Sequence, residues 1–236
     1  ASVASQIIAD SEATKNDLVQ KYGVPEKRIT VVYPGCNLES VVDETGWKRV
    51  KERYHLPDNY ILHLGTLHPR KNILRLLEAF RSLVKDYPEL HLVLAGKKGW
   101  LYEEILYQAE GLGGRVHFPG YIASQDLPLL LRGARLFILP SLYEGFGFPI
   151  LEAMAAGTPV VCSNASALPE VVGDAALLFD PHDVEAMRET TRRVLEDEAL
   201  RAELVERGLE RAKLFSWERC ARETLSVLER VAGSDG

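Results

Sequence analysis

Residues 135–163 read Arg-Leu-Phe-Ile-Leu-Pro-Ser-Leu-Tyr-Glu-Gly-Phe-Gly-Phe-Pro-Ile-Leu-Glu-Ala-Met-Ala-Ala-Gly-Thr-Pro-Val-Val-Cys-Ser. The run at 135–141 is apolar without strict alternation, as in a strand buried on both faces. A glycine-punctuated loop follows, then a helix pattern in Ile150, Leu151, Met154 and Ala155, then a second apolar run at 159–163. A strand, a helix and a strand in succession form one crossover unit, the connection that parallel neighbours require. The same alternation recurs with apolar runs at 60–65, 91–96, 116–121 and 176–180. Helix patterns lie between them: Ile73, Leu76, Leu77, Phe80 and Val84; Leu101, Ile105 and Leu106; Leu127, Leu130 and Leu131. The chain is therefore predicted to be α/β, with a doubly wound parallel sheet of about six strands. Ligands of such sheets bind beyond the carboxyl ends of the strands, which ranks the loops to inspect.

Outside this core, residues 1–36 predict a separate βαβ piece. A strand at 7–10 leads to Ser11 as N-cap and a helix through about Tyr22, which Gly23 and Pro25 end, before a strand at 29–33. Residues 37–59 read as a linker with a short helix around 47–54, ended by Pro57. Beyond Asp180 the pattern is helical, at 183–197, 199–214 and 217–232, the last with Ser216 as cap. The chain lacks an initiator Met and is strand-like already at Gln6-Ile7-Ile8-Ala9, so it is expected to be a piece of a larger protein.

Composition narrows the function classes. The chain has 236 residues, 46% hydrophobic and 26% charged, as ordinary globular domains do. A net charge of −6 argues against nucleic acid as the main partner, since binding a phosphate backbone needs a basic surface. Cys36, Cys162 and Cys220 are odd in number and lack CxxC spacing, which fits buried thiols in a reducing, cytoplasmic compartment. No apolar run reaches the roughly 20 residues of a membrane span, and residues 1–8 do not resemble a signal peptide. The histidines at 55, 63, 68, 91, 117 and 182 form no HxH or HExxH pair, and no Asp-x-Asp occurs, so no metal is expected.

Two loops at strand ends could carry chemistry. In Gly65-Thr66-Leu67-His68-Pro69-Arg70-Lys71-Asn72, glycine permits close approach and Thr66 offers a hydroxyl. Arg70 and Lys71 sit beside a helix start, where free N–H groups and cations together suit an anion. A solvated loop whose cations reach acidic neighbours fits equally well. In Glu144-Gly145-Phe146-Gly147-Phe148-Pro149-Ile150-Leu151-Glu152, the glycines bare backbone N–H groups and Pro149 falls near N1. Glu144, on the approach, and Glu152, in the first helical turn, could bind different hydroxyls of one polyol. Alternatively Glu152 closes a capping box and Glu144 is a surface charge. Pro119-Gly120-Tyr121-Ile122 is a base-reading site or a plain turn, and in the loop from Ser163 to Glu170, Ser166 is the expected helix cap.

Glu144-Gly145-Phe146-Gly147-Phe148-Pro149-x-x-Glu152-Ala153-Met154, with Ala156-Gly157-Thr158-Pro159-Val160-Val161, resembles the donor-site signature of group 1 glycosyltransferases, the retaining family 4 enzymes of the GT-B fold. Gly65-Thr66-x-x-Pro69-Arg70-Lys71-Asn72 resembles that family's diphosphate loop, and Leu168-Pro169-Glu170-Val171-Val172-Gly173-Asp174-Ala175-Ala176 its next segment. Ile8-Ala9-Asp10-Ser11-x-x-Thr14, Tyr22-Gly23-Val24 and Val32-Tyr33-Pro34-Gly35-Cys36-Asn37 are similar to the end of its N-terminal domain.

The resemblance implies a Rossmann-like C-terminal half of a GT-B fold with a helical C-terminal tail. It implies three parts: 1–38, the end of the N-terminal domain; 39–215, the donor domain; and 216–236, a helix returning to the N-terminal domain. Arg70 and Lys71 would hold the donor diphosphate, Glu152 the ribose, and Glu144 would face the transferred hexose. Arg70, Lys71 and Glu144 would thus be the catalytic groups. Gly65 and Thr66, the backbone of Gly145, Phe146, Gly147 and Phe148, and Tyr121 with Ile122 at the base would complete the donor site. Many relatives carry Arg where this chain has Thr66, and the Thr66 variant hints at mannose.

The implied activity is metal-independent, retaining transfer of a hexose from a nucleoside diphosphate sugar. The acceptor, a sugar or lipid-linked glycan, would be bound mainly by the absent domain, and the whole enzyme could sit peripherally on a membrane. This piece alone is expected to bind donor without transferring it. A nucleotide-sugar epimerase, a sugar phosphorylase of related fold, and a non-catalytic nucleotide-sugar-binding module are the competing readings.

Overall fold

The computed structural model describes residues 4–36 and 44–233. The start of the expected linker, the 38/39 boundary and Asn37 lie outside the described residues.

The small N-terminal piece forms as its sequence predicts. Strand β1 (Ile7–Ala9) leads to helix α1 (Glu12–Tyr22), and β2 (Ile29–Val31) pairs parallel to β1. Ser11 caps α1 by accepting the Thr14 N–H, and Gly23 ends the helix in the left-handed conformation, φ 64°, that glycine adopts without strain. Helix α2 (Glu44–Arg53) then leads into the main sheet.

Six parallel strands follow: β3 (Tyr60–Leu64), β4 (His91–Ala95), β5 (Val116–Gly120), β6 (Leu136–Leu139), β7 (Val160–Ser163) and β8 (Ala176–Phe179). Between and after them run α3 (Ile73–Asp86), α4 (Tyr102–Glu110), α5 (Leu127–Gly133), α6 (Phe148–Ala155), α7 (Leu168–Val172), α8 (Val184–Glu196), α9 (Glu198–Ala212) and α10 (Trp217–Gly233). Every apolar run singled out in the sequence is a strand of this sheet. Both faces are covered because successive strand residues point to opposite sides. Leu62, Phe137 and Leu139 face a core built with α5, α6 and α7, whereas Ile61, Leu136 and Ile138 face one built with α3, α4, α8 and α9.

The strand order is β5-β4-β3-β6-β7-β8. The winding therefore reverses between β3 and β6, and the helices after these two strands, α3 and α6, pack on opposite faces. Such a switch point opens a crevice at the carboxyl edge of the sheet. It falls between the cationic and the glycine-rich loop, and this positions the candidate site.

A buried carboxylate fixes α2 to this body. Asp126 has no exposed surface and accepts from Arg49 and Arg53, each at 3.0 Å, and from the Tyr54 hydroxyl at 2.9 Å. At the other end, residues 32–36 run against the start of α10. A Cβ on Gly35 would lie 2.2 Å from the Trp217 nitrogen, so only glycine fits there.

Candidate functional site

The loop after β3 turns sharply before α3. Pro69–Lys71 form one 3-10 turn, with His68 at its start accepting the Arg70 N–H through Nδ1 at 3.2 Å. The Lys71 and Asn72 N–H groups go to the carbonyls of His68 and Pro69. The N–H groups of Arg70, Lys71 and Asn72 are thus engaged by the turn itself, whereas those of Ile73, Leu74 and Arg75 in the first turn of α3 have no acceptor among the described residues, as the sequence leads one to expect of a helix start. Asn72 takes the left-handed conformation, φ 59°, and its amide donates to the carbonyls of Pro140 and Pro181. The Leu142 N–H donates to the Arg70 carbonyl at 2.9 Å. The two loops are thus bonded to one another along the crevice.

Their side chains meet as well. Lys71 is 8% exposed, and its Nζ lies 2.5 Å from Oε1 of Glu144. Arg70 is exposed, places Nη1 3.0 Å from Oε2 of Glu144, and also donates to the Tyr143 carbonyl. The Ser141 hydroxyl donates to Glu144 Oε1 at 2.6 Å. Glu144 is therefore not a surface charge, being 7% exposed. Burial alone would raise its carboxyl pKa, but Lys71, the Ser141 hydroxyl and Arg70 outweigh that and hold it below the ordinary carboxylate value. Two cations against one carboxylate leave one net positive charge facing the crevice.

Beneath this cluster lies His63, fully buried, with Nδ1 3.2 Å from the Ile138 carbonyl oxygen and no partner on Nε2. Burial and the Lys71 ammonium push its pKa down to about 4, so it adds no charge at neutral pH. Gly65 lies over both groups: a Cβ there would sit 3.2 Å from Lys71 Cε and 3.7 Å from His63 Nε2. Thr66 is exposed on the rim.

The glycine loop ends at Gly147, φ 111°, a conformation suited to glycine. Helix α6 therefore starts at Phe148, one residue before Pro149, and Glu152 falls in the second turn instead of the first. The capping-box alternative fails with it, because the N-cap is a glycine and the N3 residue is Ile150. No hydrogen bond to the half-buried Glu152 carboxylate forms among the described residues, and burial raises its pKa to about 7. The N–H groups of Gly145, Phe146 and Gly147 likewise have no partner among the described residues. Phe146 is buried against Tyr33 and Phe215, and Phe148 is half exposed beside it.

The other two segments divide. Tyr121 is exposed, with Lys97 Nζ 5.5 Å from its ring centre, whereas the Ile122 side chain belongs to the core and leaves only backbone for a ligand. Ser166 does not cap α7. Its φ of 49° is not the extended geometry of an N-cap. Instead its hydroxyl takes the Glu144 N–H at 2.7 Å and donates to the Glu144 carbonyl at 2.9 Å.

Sequence reasoning missed Ser141 and Ser166, which hold Glu144, and the loop after β4. That loop carries Lys97 and Lys98, bridges to the cationic loop at Leu67, and was findable as a Gly-Lys-Lys-Gly run at a strand end.

Residues 47–211 match the family model described as glycosyl transferases group 1, and residues 2–40 match glycosyltransferase family 4. The chain is 39% identical to O-antigen chain mannosyltransferase B of Escherichia coli, covering 95% of itself and 60% of that relative. It is 34% identical to D-inositol 3-phosphate glycosyltransferase of a Nocardioides species, covering 97% of itself and 54% of the relative. Among solved structures, Anabaena HepE in complex with UDP and glucose superposes with a TM-score of 0.86 at 24% identity, over 96% of this chain and 63% of that one. The sucrose-phosphate synthase of Thermosynechococcus elongatus superposes with a TM-score of 0.82 at 27% identity, over 98% and 59%. The chain spans less than two thirds of the length of each of these four proteins. The structural likenesses bear out the expected fold, the C-terminal half of a GT-B architecture. No helix among the described residues is long and apolar enough to cross a membrane.

Proposed function

Because the chain belongs to the group 1 glycosyl transferases, we propose that it is the donor-binding part of a retaining enzyme that moves a hexose from a nucleoside diphosphate sugar to an acceptor. The observation that carries this reading is the meeting of Arg70 and Lys71 with Glu144 at the switch point of the sheet. The mannosyltransferase relatives and Thr66 favour mannose as the hexose.

Breaking the sugar–phosphate bond builds negative charge on the leaving diphosphate. Lys71 and Arg70, held in place beforehand, stabilise that charge without reorganising and without a metal ion. Glu144, kept ionised by the same cations, accepts hydroxyls of the hexose. The open N–H groups of Gly145, Phe146 and Gly147 donate to sugar or phosphate oxygens. Glu152 accepts the ribose hydroxyls, and Tyr121 with the backbone of Ile122 lies along the base. Retention follows from attack on the face from which the diphosphate departs. The acceptor belongs to upstream sequence, and the site of action is the cytoplasm or the membrane surface facing it.

The test is Lys71→Ala in the full-length enzyme. Removing one such donor typically costs about 2.7–4 kcal/mol of barrier. Turnover is expected to fall at least about tenfold, and unchanged turnover would overturn the assignment.

A further inference from the structure

The glycine loop is held from outside the sheet. Ser11, fully buried at the start of α1, brings its Oγ 2.6 Å from the carbonyl oxygen of Gly145, in a contact spanning 134 residues of sequence. Thr14 Oγ1 stands 3.4 Å from the same oxygen and 3.0 Å from Ser11 Oγ. Each hydroxyl carries one proton. The shorter contact gives Ser11's proton to Gly145, while Ser11 Oγ accepts the Thr14 N–H at 2.9 Å.

The contact is part of a docked surface. Both Oε atoms of Glu170 accept N–H groups of the first turn of α1, from Glu12 and Ala13, each at 2.9 Å. The Tyr33 hydroxyl donates to the same carboxylate at 3.0 Å, and the Tyr143 hydroxyl donates to Asp17 at 2.8 Å. Gly145 is not in the left-handed region. A Cβ there would make ordinary contact, 3.4 Å from the Asp10 carboxylate and 3.9 Å from Thr14 Oγ1, so the close approach does not depend on glycine.

A trans peptide is planar, with its C=O and the following N–H pointing in opposite directions. Fixing the Gly145 carbonyl on Ser11 therefore turns the unpartnered Phe146 N–H away from α1. We propose that Ser11, assisted by Thr14, is a positioning residue of the donor site. It holds the Gly145–Phe146 peptide so that the Phe146 N–H is presented to an anionic or hydroxyl oxygen of the ligand. The inference rests on the reading of the rim as a nucleotide-sugar site. It adds that α1, which lies outside the main sheet, orients a donor-binding amide.

The test separates capping from clamping. Glycine caps helices nearly as well as serine, so Ser11→Gly removes the hydroxyl while keeping the helix start, and Ser11→Thr keeps both. Two readouts are taken on this chain: the 15N order parameter of the Phe146 amide without ligand, and the affinity for GDP, UDP and ADP by calorimetry. In wild type and Ser11→Thr the order parameter is expected near that of rigid backbone, about 0.85, and in Ser11→Gly to fall toward about 0.6. Affinity for whichever diphosphate binds is expected to weaken about threefold to tenfold in Ser11→Gly and to be retained in Ser11→Thr. A wild type that binds a diphosphate while Ser11→Gly matches it in both readouts overturns the clamp alone. A wild type that binds none of the three overturns the reading of the rim, and the ligand role of Ser11 with it.

Discussion

Nζ of Lys71 and Oε1 of Glu144 lie 2.5 Å apart although 73 residues separate them in sequence. Each stands in a loop leaving one of the two strands between which the winding of the sheet reverses. The pair gives the rim its electrostatic character: a carboxylate that stays ionised, shared by two cations, with positive charge left over for a ligand.

Removing the carboxylate should therefore free charge for anions. Glu144→Gln keeps a partner for Ser141 but lifts one negative charge from beside Lys71 and Arg70. Affinity for inorganic pyrophosphate, measured by calorimetry at low salt, is expected to rise by up to about tenfold, and the gain to shrink as salt is added. Transfer by the full-length variant is expected to fall, because the hexose loses an acceptor.

Glu152 should mark the pH profile. Its pKa in the folded protein is about 7 against an ordinary value of 4.5, so the folded state holds the proton more tightly than the unfolded state. Its contribution to stability is thus greatest below pH 4.5 and declines as pH rises toward 7. His63 works the other way: with a folded pKa near 4 against 6.5, its contribution is lost as pH falls through that window. Urea denaturation of Glu152→Gln across this range should lack the decline, leaving a steeper rise of stability with pH than in wild type.

Ser166→Ala should loosen the acidic loop. It removes two hydrogen bonds to the Glu144 main chain and places alanine at a φ of 49°. A loss of about 1–3 kcal/mol is expected by denaturant unfolding. Weaker diphosphate affinity should accompany it. Unchanged stability would show that the Ser166 hydroxyl does not hold the loop.

Asp126→Asn tests the attachment of α2. Arg49 and Arg53 are both more than half exposed in their side chains and can return to water, whereas the Tyr54 hydroxyl loses a charged acceptor. Hydrogen exchange is expected to accelerate across 44–53 with little change in the strands of the main sheet. Uniform acceleration throughout would indicate general destabilisation instead.

The layered fold was legible because buried parallel strands leave a strong trace. The runs at 60–65, 91–96 and 135–141 are apolar on both faces, and each matches a strand in the sheet. Ser11, Gly23 and Ser216 were readable as helix ends, since capping is local chemistry. The residues that hold the site together were not readable, because tertiary placement decides them. Nothing near Ser166 announces that it will adopt a left-handed conformation and turn from α7 to Glu144. The register of Glu152 depended on Gly147 taking φ 111° and starting the helix a residue early. For Arg70 and Lys71 the sequence supports two opposed readings: cations reaching an acidic neighbour, or cations awaiting an anion. The first is what the structure contains, and the second is what that arrangement is proposed to serve.

The central claim, that this rim holds a nucleoside diphosphate, is tested most directly by thermal unfolding of this chain with GDP, UDP and ADP, in wild type and Lys71→Ala. A ligand that binds only the folded state raises the melting temperature. At least one diphosphate should raise it in wild type, and the rise should be largely lost in Lys71→Ala. No shift with any of the three, or an equal shift in the variant, would contradict the account.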